Sequence, residues 1–378
     1  MLPPAVALVP GFFGFDHHGE LTYFADRFIA GLRCVLEAQG LPGVPVLSVS
    51  TLGTGSLRKR QADLLRELRA LETPGPSGPR LGGPRAWHLV GHSTGGVDAA
   101  LLLREAPLSQ EKGRASAAAG GWGEWQGLVE RVQSVTSISA PHFGTGLAES
   151  PLARFAAGHP TPLALRDFAR GALDLGRRGD LESRLRFALS SAPGMSKMPF
   201  FLLHMLLMNE LADDLRPEVL SALSAVPLRS SAEGRLFSIA TVAPRPADDH
   251  SDKLFRDLWR WTRDGSQAAA ACPHAPAAAL DDRALRLPTQ REMPLPPVAV
   301  DDSDGVVTTQ RQVSGELIGV VVGDHVDVIG RYRRSSLIDD QVIDPGLLTS
   351  GALFGDDEFF ALLVRIGERI ARVIKSGA

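Results

Sequence analysis

The sequence predicts an α/β protein: a mostly parallel sheet flanked by helices, interrupted by a helical insertion. Two observations carry that expectation. Between residues 5 and 139, short continuous apolar runs alternate with amphipathic segments, the βαβ rhythm of a sheet covered on both faces. From about Ser150 to Leu228 that rhythm stops, only helical spacing is present, and the strand pattern resumes at Leu236.

Each element has its own signal. Ala5–Val9 (AVALV) is a strand of the buried kind, stopped by Pro10-Gly11. Leu21–Gln39 places Phe24, Phe28, Leu32, Val35 and Leu36 at helical spacing and stops at Gly40. Val44–Ser50 is the next strand, Ser56–Leu71 an amphipathic helix, and Thr73–Arg85 a loop dense in Pro and Gly. Ala86–Val90 is a third strand, with a helix over Gly96–Glu105. Glu111–Gly127 reads as an exposed insertion and Val132–Ser139 as a fourth strand. Helical stretches follow at Leu163–Leu175, Leu181–Leu189, Phe200–Leu215 and Pro217–Ala225. Leu236–Ala243 resumes the sheet, and a Pro/Ala-rich irregular stretch runs to about Val298. Gly319–Val322 is the last strand, and Asp357–Ile374 closes the chain as a helix. The expected organisation is a core over residues 1–149, a helical cap or lid over 150–230, and the rest of the core over 231–378.

Composition narrows the function. Lys+Arg number 40 against 43 Asp+Glu, a net charge of -3, so no nucleic-acid partner is expected. With 378 residues the chain buries a core without staples, and Cys34 and Cys272 match no metal spacing. They read as two unpaired thiols or as one bridge, and the residues alone do not choose. No run approaches the ~18–20 uncharged apolar residues of a membrane span. No basic segment precedes the first apolar run, so the chain as written is expected to be cytoplasmic, or secreted if a leader is missing from it.

Gly91-His92-Ser93-Thr94-Gly95 fits G-x-S-x-G, directly after a strand and before a helix. That context makes Ser93 a candidate nucleophile on a tight strand-to-helix turn. Such a serine needs two backbone donors for the oxyanion. One is the N–H of Thr94; the other is expected from Phe12, in the loop after the first strand. Of ten His, only His325 is both late and behind an apolar strand, as the general base in this chain order requires. The acid has two candidate clusters, Asp248-Asp249 and Asp301, Asp302 and Asp304; the residues alone do not choose between them.

Together these motifs resemble the bacterial true lipases, the calcium-dependent triacylglycerol lipase group of the α/β-hydrolase superfamily. The matching segments are LVPGFFGFD, HLVGHSTGG, VTSISAPHFGTGLAE, SDGVV and GDHVDVIG, spread from residue 8 to residue 330. The resemblance implies an α/β-hydrolase fold with a cap. It selects Asp304, whose turn Ser303–Val307 matches the family's N-D-G-L-V-like acid turn, and it matches His325 to the family's N-H-L-D-like turn. It also implies a structural calcium ion, with Asp327 as one ligand and Asp281 as another. The chain departs from the family in carrying Pro10-Gly11 where His-Gly is usual. The family's disulfide does not map, and the secretory leader is missing.

Substrate class follows from apolar surface. Pro199–Met208 (PFFLLHMLLM) is apolar nearly all round a helix, which suits a lid that opens at a lipid or membrane interface. Phe13, Phe15 and His17 are expected to line the pocket beside Phe12. The expected activity is cleavage of carboxylic esters with hydrophobic acyl chains, on a lipid or hydrophobic ester partner, with no cofactor for the chemistry. An acyltransferase or thioesterase using the same residues is the alternative within enzymes, and a non-catalytic lipid-binding protein the alternative outside them.

Overall fold

Six of the apolar runs pair side by side. The computed structural model describes residues 2–12, 17–18, 21–73, 81–149, 210–247, 250–268, 280, 283–293, 297–335, 342–346 and 348–377. Strands β1 (Pro4–Val9), β2 (Val46–Ser48), β3 (Ala86–His92), β4 (Val132–Ile138), β5 (Leu236–Val242) and β6 (Glu316–Val322) form a wholly parallel sheet in the order β6-β5-β4-β3-β1-β2. Helices α1 (Asp26–Ala38), α2 (Leu57–Glu72), α3 (Thr94–Leu101), α4 (Pro217–Ser224), α5 (Lys253–Ala268) and α6 (Asp356–Ser376) surround it.

The two-residue period of β1 divides the core. Val6 and Leu8 join Phe28, Leu32, Leu362 and Ile366 of α1 and α6 on one face. Ala5, Ala7 and Val9 join Leu64, Leu65 and Leu68 of α2 on the other. A strand buried on both faces has to be apolar throughout, which is why AVALV carries no alternation. In β3, Trp87 and Leu89 face α2, so Val90 packs toward α1.

The strand order reverses at β1, which has β2 on one side and β3 on the other. In open α/β sheets the crevice at the carboxyl ends of such strands is where ligands bind. Here it receives the turn after β1 and the turn after β3. A parallel sheet of this order, covered on both faces, with a serine turn after its third strand, is the α/β-hydrolase fold.

Several elements differ from expectation. Helix α1 begins at Asp26 because Leu21–Thr22 pairs with His17–His18 and the next residues, Tyr23 and Phe24, are buried. Glu111–Gly127 is largely exposed, as expected, but its start is regular. Leu108–Glu111 pairs with Arg114–Ala117 through a two-residue turn at Lys112 (φ 49°) and Gly113 (φ 80°), the positive-φ pair that matches strand twist. The stretch after Ala243 carries α5, anchored by Phe255 and Trp259 at i,i+4. The last strand starts at Glu316, three residues early, and the helix behind Ser93 ends at Leu101. The expected helices Leu163–Leu175 and Leu181–Leu189, the apolar segment Pro199–Met208 and Cys272 lie outside the described residues. Cys34 is exposed with a free thiol. No described helix is long and apolar enough to cross a membrane.

Candidate active site

Ser93 sits between β3 and α3 at φ 54°, ψ -131°, a conformation that side chains rarely adopt. Holding a non-glycine residue there costs on the order of 1–3 kcal/mol. The turn is over-determined by its surroundings. Ser93 N–H donates to Ile138 O at 2.9 Å, and Gly96 N–H to Ser93 O at 2.9 Å. Gly95 has no room for a side chain, since a Cβ there would strike the carbonyls of Val9 and Pro10. The first turn of α3 is thereby pressed onto the end of β1.

Three of the candidate side chains come together. Ser93 Oγ lies 2.9 Å from His325 Nε2, and His325 Nδ1 lies 2.8 Å from Asp304 Oδ2. All three are buried. Asp304 stands in a tight turn whose N–H groups fold back onto it: Val306 and Val307 donate to Oδ1 at 2.9 and 2.8 Å. Its other oxygen accepts from Thr241 Oγ1 at 2.8 Å and Gln312 Nε2 at 3.1 Å. With His325 that makes five donors around an acceptor-only carboxylate, leaving it one orientation.

Thr241 and Gln312 escaped the sequence reading. Thr241 had a signal, a hydroxyl inside the apolar run LFSIATVA; Gln312 had none. Ser139, also at positive φ (52°), adds a hydroxyl 2.7 Å from Thr241 Oγ1. Asp301 and Asp302 point elsewhere and pair with Arg245 at 3.1 and 3.0 Å. Asp248 and Asp249 lie outside the described residues.

The turn after β1 abuts the serine turn, since a Cβ on Gly11 would lie 2.8 Å from Ser93 Cβ. Phe12 follows, half-buried against an apolar cluster that includes Val97, Leu101 and Leu220. Thr94 opens α3, where the first N–H groups of a helix have no intrahelical acceptor. The turn is gripped from below by Arg60, which is fully buried. Arg60 donates to Pro10 O at 3.0 Å and to Leu52 O at 2.7 Å, and pairs with Asp98 of α3 at 2.7 Å. Burial pushes the Asp98 carboxyl up to about 6 against the pull of Arg60. The signal in the sequence was a charged residue on the apolar stripe of Leu57 and Leu64.

Other residues take different places. His92 does not reach Ser93; it bonds Tyr23 and the carbonyl of His325 at 2.7 Å each. His142 is held by Ser137 Oγ at 2.8 Å, and burial pushes it down to about 3. Phe13 and Phe15 lie outside the described residues, and of His17 only the backbone is described. Asp327 is buried, and its Oδ2 accepts the N–H of Asp324 at 2.8 Å. Burial, reinforced by Asp324, raises its carboxyl well above the usual range. A buried carboxyl so raised favours a proton or a cation beside it, and oxygen donors suit Ca²⁺. Asp281 lies outside the described residues, among which no group of three or more His, Cys, Asp or Glu is arranged so that it could hold a metal ion.

No protein-family model and no curated protein matches the chain. Among solved structures it is similar to a metagenomic carboxyl esterase, at 15% identity over 100% of this chain and 77% of that one, with a TM-score of 0.47. It is similar to lipase 1 from Pelosinus fermentans at 17% identity, over 87% of this chain and 94% of that one, TM-score 0.46. A Staphylococcus hyicus lipase is matched at 16% identity, over 99% and 96%, TM-score 0.43.

Proposed function

We propose that the chain is a serine hydrolase of carboxylic esters with hydrophobic acyl groups, of the lipase or long-chain esterase kind. The hydrogen-bonded series Ser93–His325–Asp304, at the carboxyl edge of a parallel sheet where the strand order reverses, carries this reading.

Ser93 Oγ attacks the acyl carbon while His325 Nε2 takes its proton. Asp304 holds Nδ1–H, which leaves Nε2 as the base, and balances the imidazolium that forms. The N–H groups of Phe12 and Thr94 receive the oxyanion, each donor worth ~10²–10³ in rate. His325 then protonates the leaving alcohol, and water attacks the acyl-enzyme with His325 as base. Phe12, Phe13, Phe15 and His17 form the pocket wall. The proposal includes the cap expected over residues 150–230, with the apolar segment Pro199–Met208 as its contact with a lipid interface; residues 150–209 lie outside the described residues.

Wild-type protein is expected to be labelled covalently by a fluorophosphonate, and kcat/KM on p-nitrophenyl esters to rise from acetyl toward long acyl chains. Absence of labelling in folded protein removes the hydrolase reading. Activity confined to acetyl esters removes the lipase or long-chain assignment.

A structural calcium ion is part of the proposal, held by Asp327 and Asp281. Its contribution is to fasten the loop that carries His325. Chelation with EDTA is expected to lower the melting temperature by several degrees, and calcium to restore it. A melting curve indifferent to both excludes the ion.

A further inference from the structure

We propose that Tyr23 and His92 are positioning residues that lock the oxyanion turn to the backbone of His325; this rests on the hydrolase reading above. The link is a run of hydrogen bonds whose directions chemistry dictates. His92 Nε2 lies 2.7 Å from His325 O, and a carbonyl only accepts, so Nε2 carries the proton. Nδ1 is therefore a bare acceptor, and the Tyr23 hydroxyl 2.7 Å away donates to it. The Tyr23 oxygen then has lone pairs to offer, and they face the N–H of Gly11, whose turn lies directly against Oη.

Each end of the run grips a peptide that is already held on its other side. The Pro10–Gly11 peptide gives its carbonyl to Arg60 at 3.0 Å and turns its N–H toward Tyr23. That peptide immediately precedes the N–H of Phe12, so its plane sets where Phe12 points. At the far end, His325 donates its N–H to Asp304 O at 3.0 Å and gives its carbonyl to His92. The imidazole of His325 thus hangs from a backbone clamped fore and aft. Gly11 has no Cβ, and one there would strike Tyr23 Oη, which is how close the turn must approach.

The run also keeps its direction during turnover. Burial, with the charge of His325 next to it, holds His92 well below the usual imidazole range, so it stays neutral while His325 carries the proton. Burial raises the Tyr23 phenol, which keeps its O–H. The rings of His92 and His325 stand 4.7 Å apart at 50°, so the link adds contact without competing for Ser93. An apolar pair would fill this space equally well. Two satisfied polar side chains do what an apolar pair cannot: they set a fixed offset between the oxyanion donor and the base, which the transition state needs together.

Tyr23→Phe removes one oxygen and leaves the ring in its pocket. It is expected to lower kcat on a p-nitrophenyl ester by about 10- to 100-fold, the scale of a misplacement near 1 Å. KM should stay within about twofold, labelling by a fluorophosphonate should slow in parallel with kcat, and most of the protein should remain folded. His92→Gln can still offer an N–H toward His325 O but no longer holds an acceptor at the Nδ1 place for Tyr23, so it should retain more kcat than His92→Leu. In the Tyr23→Phe/His92→Gln double variant the combined loss should fall short of the product of the single losses, because both break one link. Wild-type kcat in Tyr23→Phe, a loss that merely tracks the folded fraction, or losses that multiply would each overturn the link while an active wild type leaves the hydrolase reading standing. An unlabelled, inactive wild type removes that reading first.

Discussion

Replacing Ser93 with Ala is expected to abolish fluorophosphonate labelling and to lower kcat by about 10⁶-fold, with the chain still folded. The residual rate belongs to the oxyanion N–H groups and to binding alone, because no acyl-enzyme can form without Oγ. The backbone makes a second, independent forecast at the same position. Ser93 stands at φ 54°, ψ -131°, and Ala inherits that strain in full because it keeps a Cβ. Gly does not. Ser93→Gly should therefore be equally inactive yet more stable than Ser93→Ala by about 1 kcal/mol, read from chemical denaturation midpoints. Turnover within tenfold of wild type in Ser93→Ala would remove Ser93 as nucleophile. Equal stability of the two inactive variants would remove the strain argument but not the nucleophile.

Why some of this was legible in the residues and some was not comes down to range. The Ser93 turn is local: a buried strand, G-x-S-x-G and a helix all fall within 16 residues of chain, Ala86–Leu101. The sheet was legible because a strand covered on both faces is apolar almost throughout, as AVALV is and as LFSIATV is apart from Ser238 and Thr241. Asp304 was not separable from its neighbours by residue type, because carboxylates in polar turns look alike. What distinguishes it is the Thr241 hydroxyl and the Gln312 amide, delivered from β5 and from the turn before β6. The pairs Arg60–Asp98 and Tyr23–His92 are likewise made across the fold, the second spanning 69 residues. Helix α5 was missed for a different reason. Its stripe of Phe255, Trp259 and Thr262 is short, and the Pro and Ala on either side dominated the composition.

Asp304→Asn is expected to lower kcat by about 10⁴-fold with little change in KM. The size follows from the five donors around the carboxylate. Asn has one oxygen and one NH₂, so one half of the site must now face donors with a donor. If the NH₂ takes the Oδ1 place, it meets the N–H groups of Val306 and Val307, which belong to a turn and cannot rotate away. If it takes the Oδ2 place, it meets the Thr241 hydroxyl, which can turn, and Gln312 and His325, which can be rearranged. The second arrangement is the milder one, and it is the damaging one for chemistry. An NH₂ facing His325 Nδ1 makes that nitrogen the acceptor and moves the proton to Nε2, 2.9 Å from Ser93 Oγ. The ring then offers Ser93 a proton instead of taking one. Its charged form also loses the anion that balances it, so the acylation step carries both penalties. Thr241→Val is the companion measurement: it removes one of five donors without touching the tautomer, and its loss should be far smaller. A fall of less than tenfold in Asp304→Asn would show that another carboxylate orients His325, and would return Asp249 to consideration as the acid.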